Sequence, residues 1–190
     1  MDQYKDIILI DKDGDRFYTR KPFIRKTPKV IHEIVDGTLV EKTVEVEQAF
    51  GHSLWDIKDE SQPAMEDCLK ERQACLDFVI NAKGDILVFG LGIGLIIKAI
   101  ENNPNVTSIR VIEKHDWVIE QIKAQVGFGP KVTIEKGDMF TYIPTRKYKT
   151  IYIDIWAPSY DEAEYTAQGI LRDRAQVMQE LKPFLEEGAG

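Results

Sequence analysis

The chain has 190 residues, 43% of them hydrophobic and 30% charged, which suits one globular domain with a small appendage and excludes a disordered chain. The formal net charge of -7 argues against bulk nucleic-acid binding. No apolar run nears the ~20 residues of a membrane span, and charges throughout residues 1–30 exclude a signal peptide, so a cytoplasmic protein without membrane contact is expected.

In chain order, residues 1–58 read as strands and turns, an N-terminal β-hairpin extension. The apolar run Ile7–Ile10, the turn Asp11-Lys12-Asp13-Gly14 and a return strand Arg16–Thr19 predict a first hairpin. The same acidic stretch starts like a calcium loop. The places such a loop gives to Gly and Glu hold Arg16 and Pro22, which rules calcium out. Arg16, Arg20, Lys21, Arg25, Lys26 and Lys29 form a run without an acid, either a solvated face or a contact for an anionic substrate. Val30–Val35, the turn Asp36-Gly37 and Thr38–Val46 predict a second hairpin.

Residues 59–190 read as a second unit. Met65, Cys68, Leu69, Arg72, Leu76, Val79 and Ile80 recur at helical spacing and predict one helix over Ala64–Asn81. Cys68 and Cys75 then stand about 10 Å apart on it, too far for a disulfide. With three scattered histidines and no CxxC, no metal site is expected.

From Gly84 strands and helices alternate. Strands are expected at Ile86–Phe89, Ser108–Ile112, Val132–Glu135 and Ile151–Ile155, and helices at Leu95–Glu101, Asp116–Gln125 and Asp173–Leu185. That order predicts a Rossmann-like, doubly wound, mostly parallel α/β sheet. After Glu186-Glu187-Gly188-Ala189-Gly190, where another strand is expected, the sequence ends, so the sheet is expected to be shortened at its C-terminal side.

Four segments carry chemistry. Gly90-Leu91-Gly92-Ile93-Gly94 joins a buried strand to a helix, where glycines allow a sharp turn and close ligand approach. A dinucleotide fingerprint would put its third small residue at Leu95, so the spacing is that of a different nucleotide loop. Glu113 ends the next strand, about 20 residues on, where an acid accepts from two ribose hydroxyls or caps the following helix. Gly137-Asp138-Met139 follows the third strand and reads as a binding turn or an ordinary Gly-Asp turn. Asp154 ends the fourth strand, expected beside the first at the switch point where ligands bind. Among Ile153, Ile155 and Trp156 its pKa is expected to rise, as suits a base, unless it only bonds nearby backbone.

Over residues 84–158 these segments resemble the class I SAM-dependent methyltransferases (SAM, S-adenosylmethionine), and within them the spermidine-synthase-like branch. Val88 stands where many methyltransferases carry an acid, as in the polyamine synthases. The chain is also similar to methyltransferase-like proteins of phages and bacteria, through Gly90–Gly94, Val111-Ile112-Glu113-Lys114 and Asp154-Ile155-Trp156. The resemblance implies that Gly90, Leu91, Gly92 and Gly94 shape the pocket for the methionine end. It implies further that Glu113 and Lys114 lie at the ribose, that Asp138 and Met139 hold adenine, and that Asp154 faces donor and acceptor. The chain departs from the synthases at Leu91, Ile93 and Leu95, and Ala157 replaces their second acid.

The expectation is thus a SAM-dependent methyltransferase with a small-molecule or unidentified acceptor. The alternatives are an aminopropyltransferase using decarboxylated SAM, with Asp154, Asp161, Glu162 and Glu164 as its acids, and a non-catalytic SAM-binding or scaffold module. An unpaired sheet edge would favour a partner or a homo-oligomer.

Overall fold

The computed structural model describes residues 8–35, 38–58, 63–155 and 179–186. The expected Asp36-Gly37 turn, the Trp156-Ala157-Pro158 segment, the acids Asp161, Glu162 and Glu164, and most of the expected last helix lie outside them.

A parallel sheet carries the fold. Its strands are β7 (Gly84–Phe89), β8 (Val106–Glu113), β9 (Val132–Lys136) and β10 (Thr150–Ile153), in the spatial order β10-β7-β8-β9. The chain winds outward from β7 to β9 and returns to the far side of β7, the reversal that defines a doubly wound sheet. The Rossmann-like class follows, and all four strands overlap the apolar runs that predicted them, the fourth ending at Ile153 rather than at Ile155. Ile86 to Phe89 are fully buried, as the central strand of a parallel sheet requires. Ile86 and Val88 face a core with Val79, Ile97, Val118 and Ile122, whereas Leu87 and Phe89 face Ile112, Met139, Tyr148 and Leu181.

Helices α3 (Leu95–Ile100) and α4 (Asp116–Val126) link these strands. Val118 and Ile122, one turn apart on α4, give it a single buried face. Near the C-terminus a 3-10 turn at Lys182–Phe184 lets the Tyr148 N–H donate to the Phe184 carbonyl at 2.8 Å.

The helix expected over Ala64–Asn81 is three pieces. Met65–Glu66 is a strand, β6, followed by α1 (Leu69–Ala74) and α2 (Leu76–Asn81). Met65 and Glu66 pair with Leu54 and Ser53 instead of opening a helix. The break falls at Cys75, which is buried, and whose Sγ accepts from the Tyr152 hydroxyl at 3.5 Å. Tertiary anchoring at both points overrides the periodic pattern.

β1 (Lys12–Asp13), β2 (Phe17–Arg20), β5 (Ser53–Asp56) and β6 make an antiparallel sheet. The first hairpin is shifted from its expected place: Lys12 pairs with Thr19, and Ile8–Ile10 form no strand. Leu9 is buried in the main core, and its N–H donates to His52 Nδ1 at 3.1 Å. Phe17 and Leu54 enter the same core.

The second hairpin is longer than expected, with β3 (Phe23–Val35) pairing with β4 (Thr38–Phe50) along thirteen residues each. Phe23 and Phe50 stack at its base beside the buried Trp55, and Arg25 lies over the Trp55 ring. Beyond that base the ribbon is largely exposed. Within it Lys26 pairs with Glu47, while Lys21 and Arg20 reach back to Asp11 and Asp13. Much of the basic run is thereby matched by nearby acids.

Candidate functional site

β10 pairs with β7, so the strand reversal opens a crevice at their carboxyl ends, where Gly90 and Asp154 emerge side by side. The Asp154 N–H donates to the Phe89 carbonyl at 2.8 Å, and a Cβ on Gly90 would lie 2.2 Å from the Asp154 carbonyl oxygen. Gly90 and Gly92 both have positive φ, 95° and 51°, so glycine is required for conformation as well as for space.

A cleft of about 360 Å³ lies there. That is within the size range of small-molecule sites. Gly90, Gly92, Glu113, Lys114, Asp138, Met139 and Asp154, expected at the site, all line it. Two others stand behind it. Leu91 is buried in the core, and Gly94 packs against the Phe128 ring.

Glu113 is buried, and each of its oxygens accepts a backbone N–H: Leu91 at 3.0 Å and His115 at 2.8 Å. The carboxylate thus ties the glycine loop to the turn after β8. Each oxygen keeps a further lone pair, so this bracing leaves room to accept hydroxyls. Asp138 meets Lys114 Nζ at 2.7 Å and accepts the Phe140 N–H at 3.1 Å. The lysine contact and that N–H hold the Asp138 pKa below the ordinary carboxylate value.

Asp154 behaves oppositely. Burial, and secondly the nearby Glu71 charge, push its pKa up to about 7. Glu71, in the first turn of α1, lines the same cleft, and burial followed by Glu66 raises its pKa too. Sequence reasoning missed Glu71 because it treated α1 as part of one amphipathic helix. It missed Met65 for the same reason. The Met65 sulfur accepts the Ile93 N–H at 3.2 Å, and a Cβ on Gly92 would lie 2.2 Å from it.

The opposite wall comes from the N-terminal sheet through Phe17, Leu54 and the Arg16–Asp56 ion pair at 2.9 Å. Of the basic run, Arg16 lines this cleft. His115, its ring tilted against Phe17 at 4.7 Å between ring centres, has its pKa lowered by burial. Among the described residues no group of acids, histidines and cysteines could hold a metal, and no helix is long and apolar enough to cross a membrane.

No protein-family model and no curated protein matches this sequence. Solved structures do. The chain is 14% identical to SAM-bound CalS10, an amino pentose methyltransferase from Micromonospora echinaspora, with a TM-score of 0.43 over 63% of this chain and 47% of that one. It is 14% identical to the N-methyltransferase NodS from Bradyrhizobium japonicum WM9, with a TM-score of 0.45 over 63% of this chain and 64% of that one. It is 19% identical to YjhP from E. coli, with a TM-score of 0.46 over 70% of this chain and 50% of that one. The chain thus spans less than two thirds of each of these structures.

Proposed function

We propose that the cleft binds S-adenosylmethionine and that the protein is a SAM-dependent methyltransferase. The observation that carries this reading is the convergence of Gly90, Gly92, Glu113, Asp138, Met139 and Asp154 on one cleft at the sheet's switch point. The groups match a nucleoside in kind. Glu113 offers lone pairs to ribose hydroxyls, and Asp138 offers them to an exocyclic amine. Among the described residues the Met139 N–H is without a hydrogen-bond partner and suits a ring nitrogen.

SAM supplies a methyl group already activated on a sulfonium. The chain's own work is to hold the nucleoside, exclude water and align an acceptor beside Asp154, a proximity effect. Asp154, with its pKa near 7, can take a proton from that acceptor.

A second reading is aminopropyl transfer from decarboxylated SAM. Met65 favours it, because its sulfur already takes the Ile93 N–H, leaving fewer loop donors for an amino-acid carboxylate.

Calorimetric titration of the purified chain with SAM, decarboxylated SAM and NAD tests both. Binding of SAM in preference to the others supports the methyltransferase. Preference for decarboxylated SAM supports the second reading. Binding of neither removes the site assignment. Binding of SAM without turnover across an acceptor panel points to a non-catalytic SAM-binding module.

A further inference from the structure

The cleft has two electrostatic halves. In one, each cation already faces an acid: Arg16 meets Asp56 at 2.9 Å and Lys114 meets Asp138 at 2.7 Å. Burial keeps His115 below its ordinary pKa, so it adds no charge near neutral pH. In the other half stand Asp154 and Glu71. Neither has an ion-pair partner among the described residues. Lys70, beside Glu71 in sequence, lowers the Glu71 pKa, but burial and Glu66 outweigh it.

This placement is built into the fold. The Phe78 ring packs on Tyr152 at 4.2 Å, and the Tyr152 hydroxyl donates to Cys75 Sγ at 3.5 Å. Together they dock the α1–α2 break on β10. The Cys75 N–H donates to the Glu71 carbonyl at 3.2 Å, so Glu71 sits one turn before that anchor, on the cleft wall it shares with Asp154.

Resting on the SAM reading, we propose that the acceptor is an amine, bound as its ammonium ion between Glu71 and Asp154, with Asp154 taking the proton that frees the nitrogen. One N–H bond breaks, its electron pair stays on nitrogen, and one O–H bond forms on the carboxyl group. A carboxylate or phosphate acceptor would meet two like charges. A neutral alcohol would bring no charge to offset the carboxyl groups of Glu71 and Asp154. Burial disfavours the charged form of the carboxyl and of the amine alike, which brings their proton affinities closer than they are in water.

The test is calorimetry on the full chain saturated with S-adenosylhomocysteine (SAH), titrated with butylamine and benzylamine and with butanol and benzyl alcohol. Each amine is expected to bind at least about tenfold tighter than its alcohol. Glu71→Gln is expected to erase that preference while SAH affinity stays within about twofold, and Glu71→Asp to restore part of it. Amines binding no tighter than alcohols, or a preference that survives Glu71→Gln, would overturn the acceptor class and leave the donor site standing. Failure of the unmodified chain to bind SAH would overturn the donor reading and this proposal together.

Discussion

The parallel sheet and the β3–β4 ribbon are built from similar numbers of β-branched and aliphatic residues, yet they do opposite things with them. In the sheet Ile86, Val88 and Val111 are fully buried between two layers. On the ribbon Ile24 is 62% exposed and Leu39 66%. The ribbon holds together by backbone pairing and by its aromatic root at Phe23, Phe50 and Trp55. The site belongs to the sheet because a reversal in strand order opens a crevice, and an antiparallel ribbon has no such reversal. Stability and binding should therefore both be sensitive at the sheet and tolerant on the ribbon.

Five changes can break or sharpen that contrast. The largest effect is expected at Glu113→Ala, which strands the Leu91 and His115 N–H groups, at a cost of about 3 kcal/mol in urea unfolding. A cost under about 0.5 kcal/mol would show that the brace between loop and turn is dispensable.

Next, Gly90→Ala combines a φ of 95° with a collision against the Asp154 backbone and should cost about 2 kcal/mol. Gly127→Ala meets nothing within 4 Å at a φ of 63° and should cost about 1 kcal/mol. Equal costs would mean that close packing at the switch point adds nothing.

A pH-dependent effect is expected at Asp154. An unfolded carboxyl ionises near 4, whereas the buried Asp154 holds its proton to about 7. Across that window the folded state keeps a proton the unfolded state has lost, so stability falls as pH rises and levels off above it. Asp154→Asn should reduce that slope in unfolding measured over the same range, with Glu71 supplying a residual slope of the same sign. An unchanged slope would mean that Asp154 is well solvated.

The smallest effect is expected on the ribbon. Val30→Ala should change stability by no more than about 0.5 kcal/mol. A larger loss would show that the ribbon face is covered in solution.

The sequence made the sheet legible because strands buried on both faces leave continuous apolar runs. The glycine loop was legible because positive φ angles leave few residue choices. The adjacency of Asp154 and Gly90 followed from strand order. Met65 and Glu71 were hidden because their placement depends on pairing with β5 and on docking through Phe78, Tyr152 and Cys75, contacts that no local pattern encodes. Leu9 misled in the same way, since the apolar run Ile7–Ile10 reads as a strand until one residue is drawn into a distant core. Leu91 and Gly94 share the motif of the cleft-lining glycines but pack inward, which spacing alone does not reveal.

The most direct test of the central claim is a backbone amide NMR titration of the full chain with SAH. The account predicts saturable shifts at Gly92, Glu113 and Met139, with Val30 and Val46 on the ribbon unmoved. Saturation with the glycine-loop amides unmoved, or with shifts confined to the ribbon, would contradict it.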